Sequence, residues 1–218
     1  MPGNAPPASA KIYRIVHKGC LRTLLTRGVL FAPNFTPNDG LPYRTIHNEG
    51  VQANRRLANV TCGPCGTIHD YVPFYFGPLS VMLLNLKTGR VPGYEEGQEP
   101  IVYLTTTVER VVEAGLQFVF SDGHGLAGIT EWFDNVDDLA NVDWSIVGAR
   151  YWADTPADND RQRRKQAEFL VHSGLPWDLV TEIGVFSQAV ENQINRLLEE
   201  FPARVHPIVR IKKDWYYY

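Results

Sequence analysis

The chain is poor in cysteine, in long apolar runs and in net charge. Its 218 residues include three cysteines, and 21 Lys and Arg residues against 24 Asp and Glu residues give a formal net charge of −3. So few cysteines do not form a disulfide framework, which favours a reducing cytoplasm. Because no run of 18 apolar residues occurs, we predict no contact with a membrane. The weak net charge excludes a broadly basic surface for nucleic acid, although it allows a local basic groove.

Common catalytic signatures are absent as well. The sequence contains no P-loop, no G-x-S-x-G and no H-E-x-x-H motif. Residues 1–10 lack the apolar region of a signal peptide, and we expect them to form a disordered tail. Residues 11–218 contain no internal repeat or linker, and 44% of the whole chain is hydrophobic. We therefore predict one globular domain over residues 11–218, and we expect it to be a monomer.

Short apolar runs rich in β-branched and aromatic residues alternate with short amphipathic stretches, which predicts an α+β fold with a central mixed β-sheet flanked by helices. Strands are predicted at residues 11–17, 29–32, 72–76, 81–86, 101–106, 118–120, 168–171, 183–186 and 208–211. Helices are predicted at residues 21–27, 51–57, 108–114 and 190–201. The long acidic stretch 122–166 is weakly periodic, which is typical of a functional loop containing short helices.

Four cations stand in five residues directly before an apolar strand. Arg161, Arg163, Arg164 and Lys165 precede Glu168, which opens that strand. The sheet fixes the backbone of such a glutamate, and neighbouring guanidinium groups would keep its carboxylate ionised and oriented. A carboxylate of this kind can stabilise a developing cation or accept a proton. On these residues alone, the alternative is a solvated end of a strand with surface charges.

Cys62-Gly-Pro-Cys65 has the spacing of a redox-active thiol pair, and thioredoxins carry the same four residues. No helical pattern begins at Cys65, however, as it does in thioredoxins. Zinc would require four ligands, and the nearest further candidates are His47, His69 and Cys20. We therefore predict a Gly/Pro turn with incidental thiols and no metal site.

Three blocks of the sequence, in order, resemble the DarT-type DNA ADP-ribosyltransferases, which are toxins of bacterial toxin–antitoxin pairs. The first block is Ile12-Tyr-Arg-Ile-Val-His17. The second begins at Arg55 and contains Asp70-Tyr-Val-Pro-Phe-Tyr-Phe76. The third contains Arg164-Lys-Gln-Ala-Glu168-Phe-Leu-Val171. With their flanking residues, these blocks span residues 12–180.

The resemblance implies an ADP-ribosyltransferase-like fold and an enzyme that uses NAD as a substrate. Such an enzyme breaks the nicotinamide–ribose bond and attaches ADP-ribose to a base of single-stranded DNA, with thymine as the expected base. An anionic Glu168 would stabilise the oxocarbenium-like sugar, and Arg55 would lie beside the NAD phosphates and the target base. The resemblance also implies a macrodomain antitoxin that reverses the modification. Contacts with DNA are expected from Arg161, Arg163, Arg164, Lys165 and His124.

The expected NAD site departs from the pattern of the family. It is expected to contain Arg14, Ile15, Val16, His17, Thr23, Phe31 and Arg55. The family normally has His-x-Thr where this chain has Arg14-Ile15-Val16, an Asn at the position of Cys20 and a Gly at that of Thr23. An alternative therefore stays open, in which the chain binds nucleic acid or a nucleotide on the same scaffold, without NAD transferase chemistry or with another nucleotide.

Overall fold

The computed structural model describes residues 5–218. The strands are β1 Lys11–His17, β2 Val29–Phe31, β3 Tyr71–Tyr75, β4 Ile101–Thr107, β5 Phe118–Ser121, β6 Trp132–Phe133, β7 Glu168–His172, β8 Gly174–Pro176, β9 Glu182–Val185 and β10 Ile208–Ile211. The helices are α1 Leu21–Arg27, α2 Glu49–Leu57, α3 Val81–Lys87, α4 Val108–Glu113, α5 Trp144–Val147, α6 Arg161–Lys165 and α7 Gln188–Glu199.

Eight strands form the central sheet, in the order β10-β9-β4-β1-β3-β7-β5-β6, while β2 and β8 form a separate pair. The β9–β10 pair is parallel, and the other pairs of the central sheet are antiparallel. The sheet is therefore mixed and flanked by helices, which confirms the predicted α+β class. At its centre, β1 and β4 pair along their whole lengths, from Lys11 opposite Thr107 to His17 opposite Ile101.

The sheet has a hydrophobic layer on each face. On one face, helices α1, α4 and α7 contribute apolar residues such as Leu24, Val111 and Ile194 to the largest core cluster. On the other face, α3 packs with the C-terminal aromatic residues, including the buried Trp215 and Tyr216. Because both faces are covered, the β-branched and aromatic residues of β4 are buried almost without interruption.

One predicted strand is wrong, because residues 81–86 form helix α3. The side-chain oxygen of Ser80 accepts a hydrogen bond from the backbone N–H of Leu83 at 3.2 Å, so Ser80 is the N-cap of this helix. A short apolar run fits a buried helix as well as a strand, and periodicity alone does not separate the two. The predicted loop at 122–166 does contain short elements, namely β6, α5 and α6.

Residues 9 and 10, which precede β1, are hydrogen-bonded to helix α4. Ala10 is buried, and its backbone N–H donates to Oε1 of Glu109 at 3.0 Å, while the Ser9 hydroxyl donates to Oε2 of Glu109 at 3.2 Å. Of the tail predicted at residues 1–10, the first four residues lie outside the described part of the chain. Within residues 5–218, every helix is too short or too polar to cross a bilayer.

Candidate active site

A cleft of about 590 Å³ opens beside β1 and β3, and its volume is within the usual range for small-molecule sites. Helices α2 and α3 and the start of β7 complete its walls. We call it the central cleft. Its lining includes Arg14, Ile15, Val16, Phe31, His47, Asn48, Gln52, Arg55, Arg56, His69, Tyr75, Met82, His124 and Glu168.

A buried ion pair lies in the wall of this cleft. Nη1 of Arg55 donates to Oε2 of Glu168 at 3.0 Å, and the two side chains are only 8% and 4% exposed. Burial opposes the charge of the guanidinium, but the carboxylate outweighs this effect and raises the pKa of Arg55 above its ordinary value. The free energy needed to remove two charges from water offsets most of their mutual attraction, so such a pair contributes little net stability. Its presence is better explained by function.

Local structure explains how Arg55 reaches this position. Asn48 caps helix α2 by accepting a hydrogen bond from the backbone N–H of Val51, and Arg55 lies in the last turn of that helix. Arg55 is buried and its neighbour Arg56 is exposed, because adjacent residues on a helix point about 100° apart. The guanidinium that orients Glu168 is therefore that of Arg55, and not one from the basic run 161–165 as the sequence suggested.

Three strands fix the position of Glu168. Its Cα lies opposite that of Tyr75 in the β3–β7 pair, and its backbone N–H donates to Oγ of Ser121 at the end of β5 at 3.2 Å. The Ser121 hydroxyl in turn donates to the carbonyl of Gly123 at 2.7 Å. Burial raises the pKa of Tyr75 well above its ordinary value, and the negative charge of Glu168 adds a smaller increase. The phenol of Tyr75 therefore stays protonated.

The turn after β5 lies directly against the carboxylate. Gly125 approaches Glu168 so closely that an added Cβ would lie 3.2 Å from Oε2 of Glu168 and 3.0 Å from Cδ1 of Ile68. His124 lines the cleft beside it. Burial lowers the pKa of His124, and the positive charge of Arg55 adds to this effect while Glu168 opposes it. Its imidazole is therefore neutral at pH 7 and can accept a proton.

Two other histidines belong to the cleft, although the sequence suggested them only as zinc ligands. Nε2 of His69 lies 3.1 Å from Oε1 of Gln52, and His47 also lines the cleft. Burial lowers the pKa of both histidines. Gln52, Tyr75 and the two histidines line the cleft but were not among the site residues predicted from the sequence. For Tyr75 a signal was present, because it lies within the block that carries the family resemblance.

Five of the seven residues predicted to bind NAD line the central cleft: Arg14, Ile15, Val16, Phe31 and Arg55. The other two, His17 and Thr23, do not line it, and their side chains have partners elsewhere. Nδ1 of His17 accepts the backbone N–H of Gly19, and its Nε2 lies 3.2 Å from Glu96. The Thr23 hydroxyl is buried and donates to the carbonyl of Pro42 at 2.6 Å.

The basic run forms the short helix α6, and its cations have intramolecular partners. Arg163 pairs with Asp122 at 2.9 Å and with Asp160 at 2.7 Å. Arg164 pairs with Asp143 and Asp158. These acidic partners come from the same loop as the basic run. The charges of Arg163 and Arg164, which the sequence predicted to contact DNA, are therefore engaged by carboxylates of the chain itself.

The two ends of the basic run differ in exposure. Nζ of the buried Lys165 donates to the carbonyls of Pro78, Val147 and Ala149 at 2.9, 2.6 and 3.0 Å, so its ammonium has no donor left for a phosphate. Arg161 bonds the carbonyls of Tyr151 and Ala153 and is more accessible.

The Cys62–Cys65 segment is a turn, as predicted. The Cys65 N–H donates to the Cys62 carbonyl at 3.0 Å, and Cys65 has φ of 60°. Both thiols are free, and burial raises the pKa of Cys62 to about 11, which makes it a weak nucleophile at neutral pH. No three His, Cys, Asp or Glu side chains of residues 5–218 are grouped to hold a metal ion.

Comparison with known proteins links this geometry to a family. Residues 13–217 match the family model described as "ssDNA thymidine ADP-ribosyltransferase, DarT". The DNA ADP-ribosyl transferase of Thermus sp. (strain 2.9) is 42% identical over 211 residues, which are 97% of this chain and 98% of that protein. The DNA ADP-ribosyl transferase of Escherichia coli O127:H6 is 31% identical over 97% of this chain and 95% of its own length.

A solved structure of Thermus sp. 2.9 DarT in complex with ADP-ribosylated ssDNA has a TM-score of 0.92 to this chain. At 41% identity, the match covers 98% of this chain and 99% of the Thermus chain. The complex of the same Thermus protein with NAD+ has a TM-score of 0.88 at 40% identity and covers 98% of this chain and all of the other. The similarity therefore extends over the whole domain that contains the central cleft.

Proposed function

The chain belongs to the DarT family and is an NAD-dependent DNA ADP-ribosyltransferase, and we propose that it modifies thymine in single-stranded DNA through Glu168 and Arg55. The observation that carries the assignment of these residues is their buried ion pair in a cleft of nucleotide size. Thymine as the acceptor is supported by the family model, which describes thymidine transferases.

Glu168 is assigned the stabilisation of the sugar. When the nicotinamide–ribose bond breaks, its electron pair leaves with nicotinamide, and positive charge develops on the ribose carbon and ring oxygen. The β3–β7 pairing and Ser121 fix its backbone, and Arg55 holds its Oε2, so the carboxylate needs little reorganisation to face this charge. Preorganised charges of this kind commonly supply a large part of the rate acceleration of an enzyme.

The acceptor must lose a proton as it bonds to the sugar. In thymidine, N3 is the ring nitrogen that carries a proton, and its deprotonation places negative charge on the neighbouring carbonyl oxygens. The cationic Arg55 stabilises that charge, and the neutral imidazole of His124 is the candidate acceptor for the proton. Both side chains line the cleft together with Glu168.

Arg14 is assigned to the NAD site in place of the neutral side chain that the family pattern has there. It lines the cleft from β1, and one guanidinium nitrogen, Nη1, donates to the carbonyl of Pro73 at 3.0 Å. The remaining donors of a guanidinium match the oxygens of a diphosphate. Within residues 5–218, the ion pairs of the structure do not include Arg14, which leaves its charge for this ligand.

The test of this function is an oligonucleotide panel analysed by mass. Single strands that contain one thymine are incubated with NAD, beside strands in which that thymine is replaced by uracil or cytosine and beside matched duplexes. We expect a mass gain of one ADP-ribose on the thymine strand and release of one nicotinamide. Uracil keeps the N3 proton and should react to some extent, whereas cytosine should not. Modification of cytosine, or equal modification of the duplex, would contradict the assignment of the acceptor.

We further propose that the chain acts as a toxin in the cytoplasm, as a monomer, and that a macrodomain antitoxin removes the ADP-ribose. The family resemblance supports this role, and both NAD and exposed single-stranded DNA occur in that compartment. Expression in bacteria should stop growth, and co-expression of an active macrodomain hydrolase should restore it. Growth arrest by the inactive Glu168→Gln variant would contradict a toxic effect that depends on catalysis.

A further inference from the structure

The guanidinium of Arg163 contacts both ends of the turn that lies against Glu168. Arg163 donates from Nη1 to both carboxylate oxygens of Asp122 at 2.9 and 3.0 Å and to Oγ1 of Thr130 at 3.4 Å. From Nε and Nη2 it makes a bidentate contact with Asp160 at 2.7 and 2.8 Å. We call residues 122–130 the glycine turn, because Gly123 and Gly125 flank His124 within it.

Backbone contacts hold the glycine turn to the same residue. The backbone N–H of His124 donates to the carbonyl of Arg163 at 3.0 Å. Gly123 passes so close that an added Cβ would lie 2.3 Å from Nη1 of Arg163. Ser121 completes the arrangement, because its Oγ donates to the Gly123 carbonyl and accepts the backbone N–H of Glu168.

These contacts lead directly to the catalytic carboxylate. We propose that Arg163 is a positioning residue, which fixes the glycine turn so that His124 and Gly125 lie against Glu168, rather than a residue that binds DNA phosphate. The proposal rests on the transferase function given above. Arg163 has no place in the cleft lining, whereas His124 and Glu168 do, so its influence on the reaction passes through the glycine turn.

Charge supports positioning over phosphate binding. The guanidinium carries one positive charge and contacts two carboxylates, so the group of Arg163, Asp122 and Asp160 has a net negative charge. The hydrogen bond from Arg163 holds the pKa of Asp160 below its ordinary value, which keeps that carboxylate ionised. A phosphate approaching Arg163 would meet these two anions at contact distance. The fork geometry of the bidentate contact is also specific to arginine.

The experiment compares Arg163→Gln and Arg163→Lys with the matched control Gln162→Ala. Gln162 is exposed and lies on the same helix, and its hydrogen bonds are made by its backbone. We expect kcat for transfer to fall about tenfold or more in both Arg163 variants, because lysine keeps the charge but not the fork. In both Arg163 variants, the KM for the oligonucleotide and the salt dependence of DNA binding should stay near the wild-type values. The Gln162→Ala control should have a kcat near that of wild type. Full activity of Arg163→Lys would overturn the proposal.

A phosphate contact would give a different pattern. Loss of one such contact would weaken DNA binding and reduce the slope of log K against log salt by about 0.7, with kcat unchanged. That result would overturn the positioning role. A lower melting temperature with wild-type kcat for the folded protein would overturn it as well, because it would show that Arg163 serves stability alone.

A second variant separates geometry from charge. Gly123→Ala leaves every charge in place, but its Cβ would displace the Arg163 guanidinium from the glycine turn. We expect a loss of kcat similar to that of Arg163→Gln, and wild-type kcat in this variant would count against the proposal. The wild-type enzyme is assayed in parallel. Its activity on thymine oligonucleotides tests the transferase function independently, so that failure of the function is distinguished from failure of the positioning role.

Discussion

At the scale of single residues, the proposed catalytic centre consists of two charges that are buried against each other. The side chains of Arg55 and Glu168 are only 8% and 4% exposed, so water cannot take the place of either partner. A glutamate at a solvated end of a strand, the alternative that the sequence left open, could be removed at little cost in stability. The burial of this pair implies a large cost, because truncating one member leaves an uncompensated charge in the interior.

A double-mutant cycle tests this coupling. We expect Glu168→Ala and Arg55→Met each to lower the free energy of unfolding by about 3–5 kcal/mol, because each leaves one buried charge unpaired. The double variant should be less destabilised than the sum of the two, since neither charge remains. Chemical denaturation of the four proteins measures these values. Additive losses would show that the two side chains do not interact in solution.

Adjacent arginines provide a second test. Arg55→Ala should reduce the rate of transfer by about 100-fold or more, the usual cost of removing one preorganised charge from a transition state. Arg56 also lines the cleft, but it is exposed and Glu168 is paired with Arg55, so Arg56→Ala should have a much smaller effect. Steady-state rates on a thymine oligonucleotide measure both. Equal, mild losses would mean that Arg55 is not part of the catalytic centre.

Some residues of the site were predictable from the sequence and others were not. Glu168 has a local signal, because it opens an apolar strand directly after a basic run, whereas Arg55 was predicted only through the family resemblance. His17 and Thr23 were expected in the NAD site from the family resemblance, but their side chains contact Glu96 and Pro42 outside the cleft. The direction in which a side chain points depends on tertiary packing, and a local sequence pattern does not predict it.

At the scale of elements, the lack of information on tertiary packing explains two further differences between prediction and structure, one at helix α3 and one at helix α6. Residues 81–86 were predicted as a strand because their apolar run has no clear period. The basic run seemed open to DNA because two of its acidic partners, Asp122 and Asp143, lie well before it in the sequence, and no local pattern pairs them with Arg163 and Arg164. In contrast, β1, α1 and α4 were predicted nearly to the residue, since each has a clear alternation or a glycine that ends it.

The N-cap of α3 makes a prediction at this scale. Ser80→Ala should lower the free energy of unfolding by about 1 kcal/mol, because the backbone N–H of Leu83 loses its buried acceptor. In a protein of this size, this corresponds to a decrease of about 2–4 °C in Tm. Thermal unfolding measures the change, and Ser187→Ala at the N-cap of α7 is a comparison variant. An unchanged Tm would indicate that α3 does not depend on this cap.

At the scale of the whole molecule, the histidines of the cleft couple stability to pH. Burial lowers the pKa of His47, His69 and His124 below 6.5. Just below pH 6.5 the unfolded chain therefore binds more protons than the folded chain, so the free energy of unfolding should decrease as the pH falls. Asp70 has a pKa lowered from 3.8, and its contribution is lost only at more acidic pH.

Substitution of two of these histidines checks the origin of the effect. The double variant His47→Gln/His69→Gln should show a shallower loss of stability between about pH 6.5 and pH 5, because two of the groups that bind protons on unfolding are gone. His206→Gln, at an exposed position, is the matched control. Denaturation at several pH values gives the slopes. Identical slopes for wild type and the double variant would contradict protonation of the cleft as the cause.

The most direct test of the catalytic centre is the rate of a single turnover by Glu168→Gln. Glutamine has nearly the same volume as glutamate and can still accept a hydrogen bond from Arg55, so the variant removes the negative charge and little else. The measured quantity is the mass gain of a thymine oligonucleotide over time with saturating NAD. Transfer should be at least about 100-fold slower than in wild type, while NAD binding is retained. A folded variant that transfers ADP-ribose at nearly the wild-type rate would contradict the account.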